Sequence, residues 1–179
     1  MSFRKAAVVF GLGFFALVAQ TVLFRAFLTA FEGNELGVGA FFASWLVSVA
    51  VGAVAGRLAA EVWPRLMRHV DGLAMAYLPA FALQLELTAR ARDLASVEVY
   101  EAFPVLPMVA VAFVVNVPVS LATGFLFTAA CRWIEGDARL PVARVYVVET
   151  LGACVGGVAV TILLAVGVSG ETVVVVAMG

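Results

Sequence analysis

Charge is scarce in this sequence. Asp, Glu, Lys and Arg make up 13% of the 179 residues, against roughly a quarter in an ordinary soluble domain. The eleven Lys and Arg sit at the ends of apolar runs and form no stripe, which argues against nucleic acid as a partner. Histidine is rarer still, since His69 stands alone in a basic loop. A b-type haem needs axial ligands such as His in apolar helices and a c-type haem needs Cys-x-x-Cys-His, so this chain by itself is expected to bind no haem. Cys131 and Cys154 fall at a helix end and inside an apolar run, where neither a disulfide nor a metal pair is suggested. Linkers rich in Gly, Ser or Pro and low-complexity tracts are missing as well.

What fills the chain is apolar residues. They account for 64% of it, with a mean hydropathy of +1.10. At about 20 residues per crossing the length holds five or six membrane spans and leaves no room for a soluble catalytic domain. The fold class expected is all-α, a polytopic transmembrane helix bundle forming one domain over residues 1–179. Spans are expected at residues 6–28, 36–60, 71–87, 104–130 and 142–168. A sixth apolar run at 172–179 stops after eight residues, too few to cross, so the natural chain is expected to continue past Gly179. The first run exceeds the core of about 7–15 residues in a signal peptide and carries no small-residue cleavage site, so it reads as a retained span. Run 71–87 is the weakest, with Pro79, Gln84 and Glu86. Residues 88–103 read as the longest polar loop and 131–141 as a short charged one.

Small residues mark where helices meet. Ala40, Ser44, Ser48, Gly52, Gly56 and Ala60 recur at every fourth position, a stripe that lets another backbone come close. Glu149, Gly152 and Gly156 share a face of the fifth span, which turns the carboxylate into the bundle. In the fourth run Asn116, Ser120 and Thr123 surround Pro118, the residue types that can satisfy a carbonyl freed by a proline kink.

The basic residues set an orientation. With the N-terminus cytoplasmic, eight of the eleven (Arg4, Lys5, Arg57, Arg65, Arg68, Arg132, Arg139, Arg144) lie inside and three (Arg25, Arg90, Arg92) outside, as the positive-inside rule requires. The membrane is then the cytoplasmic (inner) membrane.

One cluster carries the chemistry. Gln20 and Arg25 occupy the second half of an apolar helix, and Glu32 and Glu35 follow at once. An Arg in mid-membrane costs about 2.5–3.5 kcal/mol, less near a helix end. Two readings stand: a substrate, proton or quinone-headgroup site, or an anchor in which Arg25 snorkels outward and pairs with a loop carboxylate. Glu149, deeper and beside glycines, needs a partner or a neutralising proton.

The residues 13–20 (Gly-Phe-Phe-Ala-Leu-Val-Ala-Gln), 24–28 (Phe-Arg-Ala-Phe-Leu), 33–36 (Gly-Asn-Glu-Leu), Trp45-Leu46, 124–127 (Gly-Phe-Leu-Phe), and Tyr146, Glu149, Gly152, Gly156 and Gly157 together resemble the membrane region of fused spermidine-synthase-like proteins. Those are polytopic chains that join a transporter-like half to an aminopropyltransferase-like domain. Two positions depart from the pattern: Ala26 replaces the acidic residue expected after the Arg, which removes a candidate partner for Arg25, and Thr128 stands where Pro is usual. The resemblance implies a transporter-like helix arrangement. It does not bring the enzyme, because no strand, Gly-rich turn and helix in soluble context occurs here.

Three functions remain open on the sequence. The first is a membrane module that anchors and packs with partner proteins, membrane-embedded or periplasm-facing. It would be a haem-free subunit of an electron-transfer complex, with no cofactor bound by this chain alone and a quinone touching Arg25 and Gln20. The second is the six-helix half of a repeat-built carrier. The third is the anchor of an aminopropyltransferase-like domain beyond Gly179.

Overall fold

Backbone that enters lipid must bond to itself, and helix is the one open-ended way to do so. The computed structural model describes residues 2–31, 33, 35–98, 101–135, 141–170 and 172, and among them there is helix and no strand. The chain is an all-α helical bundle. Helix α1 is Phe3–Ala30, capped by Ser2, whose hydroxyl accepts from the Lys5 amide at 3.4 Å. Helix α2 is Glu35–Val62, followed by a single 3-10 turn at Leu66–Arg68. Then come α3 (Val70–Ala74), α4 (Tyr77–Ala89), α5 (Ala91–Ala95), α6 (Val105–Val115), α7 (Val117–Ile134) and α8 (Pro141–Ala165). Five stretches are long and apolar enough to cross a membrane: Phe3–Ala30, Glu35–Val62, Val70–Ala89, Val117–Ile134 and Pro141–Ala165. At 28 residues, α1 is about 42 Å long, more than the roughly 30 Å of a hydrocarbon core.

The structure redraws several boundaries. Residues 71–87 are two helices with a turn at Met75 and Ala76. Pro79 falls in the first turn of α4, where its missing N–H leaves no helical bond unmade. The polar stretch 88–103 holds the end of α4 and the short α5. It is tied down by Arg92, which donates to the carbonyls of Glu98 (2.8 Å) and Glu101 (3.2 Å) and lies over the Phe103 ring. Helix α7 runs on to Ile134, into the expected loop. Helix α8 stops at Ala165 because Gly167 takes a left-handed φ of 84°. Val168 and Gly167 then donate back to the carbonyls of Leu163 and Leu164, which closes the helix. The expected start of a sixth span at 172–179 lies outside the described residues except for Thr172.

Two parallel helix pairs build the frame. Along α8, Gly152 meets the carbonyl of Phe10, Gly156 that of Phe14, and Gly157 the side chain of Leu17. Numbers rise together on both helices, so α1 and α8 run parallel. Gly52 and Gly56 of α2 lie likewise against Leu121 and Phe125 of α7, and Gly124 of α7 against Val49. The small-residue stripe of α2 supplies this contact: Ala40, Ser44, Ser48, Gly52 and Gly56 are all buried. Apolar burial gives helices no drive to associate in lipid, so such backbone approach is the main source of cohesion. An aromatic cluster adds to it. Phe27 stacks on Phe31 at 4.1 Å, and Phe31 reaches Phe103 at 4.6 Å; each such pair contributes about 0.5–1.5 kcal/mol.

The polar ends are distinct. Arg4 pairs with Asp71, and Lys5 Nζ donates to the Trp133 carbonyl at 2.9 Å. The start of α1, the end of α2, the start of α3 and the end of α7 therefore share one end of the bundle. The Phe31–Phe103 contact brings the end of α1 to the start of α6 at the other. Many apolar side chains of α2 and α8 face outward, among them Leu46, Val54, Leu151, Val158 and Ile162, a surface compatible with lipid.

Candidate functional sites

The five residues singled out for chemistry do not form one constellation. Arg25 is exposed on α1 and lines an open groove of about 580 Å³ with Thr29, Leu85 of α4, and Ser169 and Gly170 beyond α8. Gln20 is five residues back, which rotates it about 140° around the helix from Arg25. It is half-buried, and its amide makes no hydrogen bond among the described residues. Glu35 is exposed in the first turn of α2, where the helix dipole favours a carboxylate. Glu32 lies outside the described residues. No carboxylate among the described residues pairs with Arg25.

Glu149 is elsewhere. Its backbone carbonyl lies against Gly13, and a Cβ on Gly13 would come within 2.9 Å of the Glu149 Cγ. Twelve residues separate Gly13 from Arg25, on the order of 18 Å of helix. Glu149 is half-buried on the α8 face shared with Val145, Gly152, Gly156 and Val160, all buried. Tyr77 of α4 and Cys131 of α7 both lie within electrostatic range of its carboxylate. No hydrogen bond or ion pair joins its side chain to a described residue. A carboxylate so placed can carry a proton or a small cation.

A third polar site joins residues that the sequence shows only singly. Pro118 breaks the fourth run into α6 and α7 at Asn116. The break leaves the Val119 amide without a helical carbonyl, and Gln84 of α4 accepts from it through Oε1 at 3.0 Å. Gln84 Nε2 donates to Asn116 Oδ1 at 3.0 Å, and Asn116 Nδ2 donates to Ser44 Oγ of α2 at 2.7 Å and to the Phe41 carbonyl at 3.2 Å. Ser120 donates to the Asn116 carbonyl. Gln84, Asn116, Ser44 and Ser120 are all fully buried. Every buried side-chain polar atom among the described residues has a partner, so this network locks three helices and has no group left for a ligand. The signal in the sequence was an uncharged polar residue inside each of three apolar runs.

Among the described residues no three His, Cys, Asp or Glu side chains gather as metal ligands. No protein-family model, curated protein or solved structure matches this chain.

Proposed function

We propose that this chain is a polytopic module of the cytoplasmic membrane, N-terminus inside, that anchors and packs with partner proteins. In this reading it is a haem-free subunit of an electron-transfer assembly, and the Arg25 groove takes a quinone or another polar headgroup. One observation carries the reading: the fully buried Gln84, Asn116, Ser44 and Ser120 are consumed within one network, while Arg25 faces an open groove at one end. A carrier needs a shared interior site near the midplane, and Gln20, Arg25 and Glu149 do not converge on one.

The resemblance to the membrane region of spermidine-synthase-like proteins favours a second reading, the half of a carrier. Its particular support is Glu149, a membrane carboxylate without a cation among the described residues. An aminopropyltransferase anchor would need a catalytic domain after Gly179.

The test is purification from the native membrane in mild detergent, with identification of co-purifying proteins and a visible absorption spectrum. Haem bands on partner subunits support the module. A colourless preparation without partners that takes up solute after reconstitution overturns it in favour of the carrier.

A further inference from the structure

We propose that the end of the bundle carrying Lys5, Arg68 and Arg132 holds a binding site for the phosphate headgroup of an anionic phospholipid. The three cations line one recess of about 700 Å³ between the start of α1, the turn after α2 and the end of α7. Two carboxylates, Glu61 and Glu135, share it. Both are engaged: Glu135 accepts from Arg132 at 3.1 Å and Glu61 faces Arg57 at 4.0 Å. The guanidinium of Arg68 is exposed and pairs with no described residue. Lys5 is held in position over the Trp133 ring at 5.3 Å.

The surroundings distinguish a lipid from a free anion. A second recess of about 580 Å³, lined by Val62, Trp63 and Leu66 with Arg65 and His69 at its edge, adjoins the first across Pro64. Val62 and Trp63 are largely exposed. A cationic pocket beside an apolar one fits a phosphate with glycerol and acyl chain attached, and Trp63 and Trp133 are the residue type that sits at headgroup level. Charge across the whole end agrees. Among the described residues Arg4, Lys5, Arg57, Arg65, Arg68, Arg132 and Arg144 stand against Glu61, Asp71 and Glu135, whereas the opposite end sets Arg25, Arg90 and Arg92 against Glu35, Glu86, Asp93, Glu98 and Glu101.

Basic groups between helices at a membrane surface are the usual reader of anionic headgroups, and each cation contributes about a fivefold gain in affinity. The experiment is a titration of the delipidated full chain in mild detergent, followed by native mass spectrometry. The probes are dioleoylphosphatidylglycerol and dioleoylphosphatidylcholine. The anionic lipid is expected to bind at least about fivefold more tightly. Arg68→Gln and Lys5→Gln should each lose about fivefold of that affinity and leave the zwitterionic lipid unaffected. Arg90→Gln, at the other end, where Arg90 is exposed and faces Glu86, should change neither. Equal affinity for the two lipids overturns the proposal, as does a loss in Arg90→Gln equal to that in Arg68→Gln. Complete displacement of the lipid by millimolar inorganic phosphate also overturns it, by making the recess a small-anion site. Arg68 has no partner among the described residues to lose, so its variant should keep the parent melting temperature and report on binding alone.

Discussion

At the scale of single residues, polar side chains in apolar helices divide into those that hold the fold and those left open to a ligand. Gln84 belongs to the first group. Gln84→Leu keeps the volume but strands the Val119 amide and one Asn116 acceptor, and a buried unpaired group costs about 1–3 kcal/mol. Membrane hydrogen bonds measure at the low end of that range, so a destabilisation of about 1–2 kcal/mol is expected. Thermal unfolding in detergent measures it, and an unchanged midpoint would remove the network from the structural account. Arg25 belongs to the second group. Arg25→Ala should leave stability close to the parent, because the side chain is exposed and unpaired among the described residues, yet abolish assembly or turnover. Unchanged complex yield and turnover would sink the functional role of the groove. The sequence marked each of these residues as unusual for its surroundings. It could not show that residues 84 and 116 meet, or that 25 and 149 do not, because a helical run carries no record of which neighbour it faces.

At the scale of elements, glycine placement separates contact from tolerance. Gly152 packs on the Phe10 carbonyl, while a Cβ on Gly11 has nothing within 4 Å. Gly152→Ala should therefore force α8 from α1 at about 1–3 kcal/mol, the usual cost of overpacking. Gly11→Ala should cost nothing and gain up to about 1 kcal/mol of helix propensity. Unfolding of the two variants side by side decides the matter: an equal response would mean that α1 and α8 are not locked at glycine. These faces were legible in advance. The four-residue period of the α2 stripe and the Glu149, Gly152, Gly156 spacing give the buried sides directly. The partners were not legible, and neither was the parallel sense of the pairs, since both follow from the path of the whole chain. Pro118 announced a break, but the acceptor that repairs it comes from a helix more than thirty residues earlier. Helix ends shifted where local chemistry outweighed hydropathy, as at Gly167.

At the scale of the molecule, low charge together with long unbroken apolar runs pointed to an all-α bundle, because the other way to satisfy backbone in lipid, a closed barrel, is built from short alternating strands. The structure adds that the basic residues gather at one end. With native cysteines replaced, a cysteine at Ser96 should react with a membrane-impermeant maleimide in intact cells, and one at Ser2 only after the membrane is opened. The reverse pattern would invert the proposed orientation.

The central claim is that this is a partner-bearing membrane module, and purification from native membranes with partner identification and a visible spectrum tests it most directly. Stoichiometric co-purification of haem-bearing partners, with assembly or turnover lost in Arg25→Ala while the variant chain stays folded, is the result expected. A stable, colourless, partner-free protein that moves a solute across reconstituted vesicles would contradict it.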